Sequence, residues 1–340
     1  MPLAEVTRGS LVESVHFGHV AVADAEGALI YGYGDPNRLC YLRSSAKPIQ
    51  ALAVVLSGAA DKFAFDAREL AICCASHHGR PEQVAAVLAV LDKLGLGPEA
   101  LQCGVHEPLD PEARRQLIAA GREPSPLHNN CSGKHAGMLA VCLAMGWDIA
   151  DYVKPDHPLQ RWHLRNVAQA CGVAEKEVVI GIDGCGVPTF GVPLRAIAAA
   201  FARLVTGVGL DNDLAAAAER VRQAMWAAPE LISAPDGFDS QLLAAGQGAL
   251  LAKGGAEGLL PVGSIDGLGF AVKVDDGSAR AMPPIVTSIG RRLTQFPAAI
   301  EERWANLPVR NAHGWQVGVI RPAPALEQWL SALPQVSSDR

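Results

Sequence analysis

The sequence predicts an α/β or α+β fold whose sheet joins the two ends of the chain. Two observations predict it: β-rich runs lie near both termini, and the stretch between them is dominated by apolar runs with helical spacing. Residues 1–340 show no repeat, no low-complexity stretch and no obvious linker. One domain over 1–340, with a helical middle region and a substantial core, is therefore expected.

Strands are expected where β-branched and aromatic residues form short runs between turn residues. The first two runs form a hairpin across the turn-like tetrad 24–27. The predicted strands are 15–23, 28–34, 178–182, 260–264, 267–274 and 315–321.

Helices are expected where longer apolar runs lie between capping residues. In the first of them, Ser44 or Ser45 would be the N-cap, Pro48 would lie in the first turn, and Gly58 would end the helix. The predicted helices are 49–56, 66–75, 81–94, 110–120, 138–145, 157–170, 194–205, 214–226, 240–252, 284–293 and 325–333.

The composition excludes several classes of partner. The chain has 29 basic and 35 acidic residues without a long run of either sign, which argues against nucleic acid and against a polybasic membrane surface. No apolar segment is long enough to span a membrane, and the first residues lack a signal-peptide pattern. Eight scattered cysteines favour reduced thiols in a cytoplasmic enzyme over a disulfide framework.

The most unusual stretch is HNNCSGKHAG, residues 128–137. Its Asn and Ser residues suit a turn and a helix N-cap. A polar cap on a buried helix does not account for Cys131, Lys134 and His135 together. A thiol at a helix N-terminus favours the thiolate, so this stretch is predicted to belong to a functional site.

A Ser-x-x-Lys motif lies at Ser44 and Lys47. If Ser44 begins a helix, Lys47 lies one turn further on the same face and could act as the base that a serine nucleophile needs. The alternative is an N-cap serine with a solvated lysine, which the isolated tetrapeptide favours. Serine β-lactamases share the motif, but their companion Ser-Asp-Asn and Lys-Thr-Gly triplets are absent, so a penicillin-type reaction is not supported.

Further polar residues lie in turns. Ser76 begins a Ser-His-His-Gly turn, and Lys253 is placed beside two glycines at a predicted helix end, where it could simply complement the helix C-terminus. Cys131 and Cys185 both lie in glycine-flanked polar turns, and Asp183 precedes Cys185. The two thiols could bind zinc, form a redox pair or supply one nucleophile.

With these motifs assembled, the sequence resembles the Rhizobium-type bacterial L-asparaginases, the asparaginase II family. The resemblance covers nearly the whole chain and shows no departure within the motifs that carry it. Those motifs are RSSAKP (43–48), SHHG (76–79), HNNCSGKH (128–135), DGCGVP (183–188) and AKGGAEG (252–258).

The resemblance implies a fold similar to serine β-lactamases and glutaminases, with a central, mainly antiparallel sheet flanked by helices, in a homodimer. It implies hydrolysis of L-asparagine to L-aspartate and ammonia by two Ser–Lys tandems, with Ser44 the nucleophile. A Zn2+ ion close to the serines would aid substrate binding more than hydrolysis itself. The residues carried over are the tandems Ser44–Lys47 and Ser76–Lys253 and the zinc ligands Cys131, Lys134 and Cys185.

Substrate binding needs groups for the α-amino and α-carboxylate of asparagine. Arg43, Asn130, His135 and Asp183 are the candidates. Two other interpretations stay open at this point. One keeps the fold with another small amide or a β-lactam as substrate, and the other is a zinc- or redox-responsive binding protein that works through Cys131 and Cys185.

Overall fold

A computed structural model describes residues 1–334 of the chain. These residues form two compact units. The sheet unit contains residues 1–45, 192–209 and those from 245 onward, and the helical unit contains 46–191 and 210–244. The single domain predicted over 1–340 stays a prediction, and its last six residues lie outside the described part. No helix within residues 1–334 is long and apolar enough to cross a membrane.

The described residues contain eleven strands and thirteen α-helices. The strands are β1 (Pro2–Arg8), β2 (Leu11–Asp24), β3 (Leu29–Tyr33), β4 (Leu39–Tyr41), β5 (Val179–Ile182), β6 (Pro188–Pro193), β7 (Leu250–Ala252), β8 (Leu259–Ser264), β9 (Leu268–Val274), β10 (Leu307–Arg310) and β11 (Gln316–Pro322). The helices are α1 (Lys47–Leu56), α2 (Ala59–Lys62), α3 (Ala67–Cys73), α4 (Pro81–Leu94), α5 (Pro111–Ala119), α6 (Ser132–Met145), α7 (Pro158–Cys171), α8 (Leu194–Thr206), α9 (Asn212–Ala227), α10 (Phe238–Gly246), α11 (Met282–Leu293), α12 (Ala298–Trp304) and α13 (Pro324–Ser331).

The sheet unit is built on one antiparallel sheet of order β10-β11-β1-β2-β9-β8-β7, with β3 paired to β2. The first strand lies beside the last, with Ala4 opposite Pro322, so the sheet joins the two ends of the chain as predicted. Helices α8, α11 and α13 pack on its strands. The mixed α/β class with a mainly antiparallel sheet and flanking helices is confirmed.

Two glycines let α8 lie directly on the sheet. A Cβ atom at Gly263 would come within 2.1 Å of the Phe201 carbonyl oxygen, and one at Gly269 within 2.0 Å of the Ala198 carbonyl oxygen. Both contacts are with helix backbone, which cannot move aside as a flexible side chain could. The close approach therefore requires glycine at both positions.

The helical unit is organised around α6. Every residue of this helix from Ser132 to Cys142 is buried, and α1, α3, α4 and α7 all contact it. A helix buried on all sides has to be a central one. Gly133 and Gly137 permit the contact with α3, since Cβ atoms there would meet the Ile72 carbonyl oxygen at 2.1 Å and the Cys73 sulfur at 2.9 Å.

Most predicted elements are present, but some boundaries were wrong. The predicted helix 240–252 ends at Gly246, because Gln247 and Gly248 take positive φ angles and 250–252 pairs with β8 as strand β7. The helix predicted from 138 begins at Ser132. Strands β1, β4, β6 and β10 and helices α2 and α12 were not predicted.

The start of α1 also differs from prediction. Residues 43–46 form a 3-10 turn and α1 begins at Lys47, after Ala46, with no side-chain cap. Neither Ser44 nor Ser45 is therefore its N-cap. The Ser45 hydroxyl instead donates to the Leu42 carbonyl oxygen at 2.6 Å, which fixes the turn itself.

We expect Gly269→Ala to lower the free energy of unfolding by about 1–3 kcal/mol, because the added methyl group overpacks the contact with α8. Urea denaturation of the purified protein measures the change. Gly184→Ala is the matched control, since a Cβ at Gly184 would meet no atom within 4 Å. Equal stability of the two variants would contradict the close packing of α8 on the sheet.

Candidate active site

The amine of Lys47 is the centre of the polar groups in the helical unit. Lys47 is the first residue of α1 and only 1% exposed. Its Nζ lies 2.6 Å from the Ala75 carbonyl oxygen, 3.0 Å from Ser76 Oγ and 3.2 Å from the Asn130 carbonyl oxygen. A buried amine with three acceptors has a hydrogen-bond partner for every N–H of its charged form.

The same geometry suits a neutral amine. Burial lowers the pKa of Lys47 despite the opposing negative charge at Cys131. A neutral amine would donate to the two carbonyl oxygens and accept the Ser76 hydroxyl proton with its lone pair. Lys47 and Ser76 are therefore placed to exchange a proton without a change of position.

The Ser76 turn is anchored on α6 by the next residue. His77 is fully buried, and its Nε2 lies 2.7 Å from Ser132 Oγ. Because the Gly79 amide donates to Nδ1, the neutral ring donates from Nε2 to the serine. Burial lowers the pKa of His77 to about 3, so the ring stays neutral near pH 7. Ser132 is the first residue of α6, and its hydroxyl donates to the Leu127 carbonyl oxygen at 3.1 Å. This serine is therefore not the N-cap of the helix.

Two thiols and a second buried lysine form a cluster at the start of α6. Cys131 immediately precedes the helix, Lys134 lies in its first turn, and Cys185 lies in the tight turn between β5 and β6. Lys134 Nζ is 3.0 Å from Cys185 Sγ, and the two sulfurs share a hydrogen bond. The spacing of the sequence gave no basis for this pairing of Cys131 with Cys185, but the structure brings the three side chains together.

Charge is distributed unequally within this cluster. The hydrogen bond from Cys185 lowers the pKa of Cys131 well below its usual value, and the positive charges of Lys47 and Lys134 act in the same direction. The same hydrogen bond raises the pKa of Cys185. Burial opposes the charged form of Lys134, but negative charge at the two cysteines outweighs burial and raises its pKa. The two cysteines therefore share a negative charge, which the Lys134 ammonium stabilises from 3.0 Å beside Cys185 Sγ.

The donor set of the cluster fits a zinc ion only on one condition. Two sulfurs and a nitrogen match the three protein ligands of an open tetrahedral site. No group of three or more His, Cys, Asp and Glu residues within 1–334 is placed to hold a metal ion. A site here therefore needs the amine of Lys134 as its third ligand, and that amine would have to lose its proton on binding.

The predicted substrate-binding residues of the helical unit differ in access. Asn130 and Asp183 are half-exposed. The backbone N–H of Asn130 donates to His106 Nε2 at 2.9 Å. Asp183 Oδ1 accepts from the backbone N–H of Gly184 at 2.8 Å. His135 is fully buried, with Nδ1 2.7 Å from Tyr152 Oη and Nε2 without a hydrogen-bond partner. Burial lowers the pKa of His135 well below its usual value, which leaves the ring neutral.

The remaining predicted residues lie in the sheet unit. Ser44 is half-exposed and follows Arg43, whose φ of 49° is uncommon for a residue with a side chain. Lys253 is 1% exposed, and its Nζ donates to the Gly254 carbonyl oxygen at 2.8 Å. Lys253 follows strand β7 and not a helix, so the predicted helix end at this position was wrong and the alternative role beside a helix C-terminus does not apply.

The Ser44 turn and the segment after Lys253 are close neighbours. A Cβ at Gly255 would lie 2.6 Å from the Leu42 carbonyl oxygen and 3.5 Å from Ser45 Oγ. Glycine is required there because backbone approaches backbone. Ser76 is held by Lys47, whereas its predicted partnership with Lys253 stays a prediction.

Sequence reasoning missed the groups that lack a motif. The Ala75 and Asn130 carbonyl oxygens hold Lys47, but backbone acceptors carry no trace in the sequence. His106 and Tyr152 were not singled out. In the sequence each of them is an isolated ring residue with a polar atom. Such residues are too common to indicate a functional site.

The structure thus combines a mixed α/β fold with a serine hydroxyl 3.0 Å from a buried lysine amine. Residues 4–322 match the family L-asparaginase II. The chain belongs to that family, which confirms the resemblance drawn from its motifs. No curated protein sequence matches the chain at a significant level.

Solved structures resemble the chain only at low identity. Mglu is 15% identical with a TM-score of 0.34, over 77% of this chain and 62% of that chain. Mglu in its tris and glutamate form is 14% identical with a TM-score of 0.36, over 83% and 61%. Simvastatin synthase from Aspergillus terreus is 12% identical with a TM-score of 0.39, over 76% and 85%. The chain thus spans less than two thirds of the Mglu chains, and at these TM-scores the likenesses support no functional conclusion.

We expect Ser132→Ala to lower the free energy of unfolding by about 1–3 kcal/mol, because the buried Nε2–H of His77 would lose its acceptor. Urea denaturation measures the change. Ser57→Ala removes a half-exposed hydroxyl at the end of α1 and should change stability far less. A Ser132→Ala protein as stable as the Ser57→Ala protein would contradict the anchoring role of the His77–Ser132 hydrogen bond.

Proposed function

We propose that the chain is an L-asparaginase, which hydrolyses the side-chain amide of L-asparagine to L-aspartate and ammonia. Membership of the L-asparaginase II family supports an asparaginase-type amidohydrolase. The observation that carries the proposal is the buried Lys47 amine 3.0 Å from Ser76 Oγ, because amide hydrolysis needs a group that removes a serine proton and later returns it.

In the proposed reaction the Ser44 hydroxyl attacks the side-chain carbonyl carbon of asparagine, and Lys47 takes its proton. The tetrahedral intermediate collapses with cleavage of the C–N bond, and the proton passes to the nitrogen, which leaves as ammonia. Water then cleaves the acyl-serine ester and releases aspartate. Ser76, supported by Lys253, relays the proton, and backbone N–H groups of the Ser44 turn would stabilise the oxyanion.

Several features of the structure support these roles. Ser44 is accessible, whereas the neighbouring Ser45 is buried and its hydroxyl donates to Leu42. The positive φ of Arg43 holds the turn in an uncommon conformation, which is frequent at functional sites. Lys47 has a lowered pKa and a contact with Ser76, as a proton relay requires.

In this proposal four residues bind, or support the binding of, the α-ammonium and α-carboxylate groups of asparagine. The half-exposed carboxylate of Asp183 suits the α-ammonium group, and Arg43 suits the α-carboxylate. Asn130 would contribute its side-chain amide. His135 is fully buried, so it would act by supporting the wall of the site through Tyr152.

A zinc ion belongs to the proposal as a bound group. Cys131, Cys185 and the deprotonated amine of Lys134 would hold it, and it would supply a Lewis acid for the binding of a polar substrate group. The homodimer and the cytoplasmic location are also part of the proposal. Eight free, buried cysteines suit a reducing compartment.

Ser44→Ala and Lys47→Ala should each reduce ammonia release from asparagine on the order of a thousandfold or more, because each removes a group without which the ester cannot form. A coupled ammonia assay measures the rate, and circular dichroism checks the fold. Ser45→Ala is the matched control, as its hydroxyl is engaged with Leu42, and it should keep most of the activity.

Retained activity in Ser44→Ala together with its loss in Ser76→Ala would transfer the nucleophile to Ser76. Turnover of glutamine or of a chromogenic β-lactam in preference to asparagine would replace the substrate but keep the class of reaction. No turnover of any of the three by the folded protein would favour a zinc- or redox-responsive binding protein instead.

Cys131→Ser should lower the zinc content of the purified protein from about one ion per chain to a small fraction, because a hydroxyl is a poor zinc ligand in place of a thiolate. Elemental analysis after dialysis measures the content. Cys142→Ser changes another buried cysteine of α6 and should leave it unaltered. Equal zinc in the Cys131→Ser and wild-type proteins would contradict the proposed ligand set.

A further inference from the structure

A groove of about 300 Å³ lies in the helical unit, and neither Lys47, Ser76 nor the Cys131–Lys134–Cys185 cluster lines it. It is bounded by the N-terminal turn of α4, by α5 and by the segment that follows α5. Val84, Ala113 and Leu117 form its apolar walls, and Gln116, Arg122 and His128 add polar groups. Its volume is at the lower end of the range of small-molecule sites.

His128 offers this groove a hydrogen-bond donor. The ring is only 7% exposed, and its Nδ1 accepts from the Ser125 amide at 3.0 Å. Burial lowers the pKa of His128, so the ring is neutral and carries its proton on Nε2. Within residues 1–334 that N–H has no acceptor, although the side chain lines the groove. This donor is therefore available to a ligand or a water molecule in the groove.

Arg122 offers the groove a positive charge. Two other arginines of this region are neutralised, since Arg80 pairs with Asp110 at 2.7 Å and Arg114 pairs with Glu107 at 2.8 Å. No carboxylate of the described residues forms such a pair with Arg122. The groove therefore combines a cation, a neutral N–H donor and a mostly apolar wall.

We propose that this groove binds a small aliphatic carboxylate. The carboxylate would accept from His128 Nε2–H and from the Arg122 guanidinium, and a short branched chain would lie on Val84, Ala113 and Leu117. An inorganic anion would leave the apolar wall uncovered, and a neutral alcohol of the same shape would lack the charge that Arg122 recognises. The site is independent of the asparaginase proposal, because none of its lining residues has a role there.

The test uses the full chain and 3-methylbutanoate, with binding measured by isothermal titration calorimetry in the absence of asparagine. We expect saturable binding in the millimolar range or tighter. Arg122→Gln should weaken it about tenfold or more, because a charge-assisted hydrogen bond is lost. Arg115→Gln removes the same charge from an exposed residue of α5 that pairs with Glu112, and it should leave the affinity unchanged.

A second pair of variants tests the groove without changing charge. Ala120 is exposed and lines the groove, so Ala120→Phe should obstruct it, whereas Ala119→Phe alters the adjacent exposed residue outside it. We expect loss of binding only for Ala120→Phe, and no binding of 3-methylbutanol to the wild-type protein. Absence of 3-methylbutanoate binding in the wild-type protein, or binding that neither Arg122→Gln nor Ala120→Phe weakens, would overturn the proposal.

Discussion

The buried amine of Lys47 is the group on which the rest of the helical unit's polar site depends. Its three hydrogen bonds start from the first residue of α1. Two go to the Ala75 carbonyl oxygen and the Ser76 hydroxyl, which follow α3, and the third goes to the Asn130 carbonyl oxygen, just before α6. An amine removed from water is costly unless every N–H is satisfied. The Lys47 side chain therefore ties the three segments together, and the His77–Ser132 hydrogen bond adds a second tie between the Ser76 turn and α6.

Charge balance explains why two lysines can be buried so close together. Negative charge on the two cysteines raises the pKa of Lys134, whereas burial lowers the pKa of Lys47 and favours its neutral amine. The neighbouring rings of His77 and His135 remain neutral, which avoids further positive charge in a poorly solvated region. The site thus contains one ammonium group, that of Lys134, paired with the negative charge of the cysteines, beside a lysine amine that burial favours as neutral.

Periodicity and capping predicted much of the fold because those patterns are local. Helix α4 has the predicted bounds, and its C-cap at Gly95 has the expected left-handed conformation. The prediction failed where partners distant in sequence decide the structure. Residues 250–252 have the composition of a helix but pair with β8 across a turn. Likewise, cysteines 131 and 185 are 54 positions apart in the sequence, so no spacing rule could predict their hydrogen bond.

The start of α6 shows why packing and chemistry were hard to separate in the sequence. Ser132 and Gly133 have low helix propensity, and this indicated a turn before a helix beginning further on. In the structure Gly133 lies within the helix, and α3 passes too close to it for any side chain. Because the helix begins at Ser132, Lys134 lies in its first turn and Cys131 immediately precedes it. Both side chains are buried. The glycine that permits the packing lies between Cys131 and Lys134, so the contact between α3 and α6 also helps to position these two side chains.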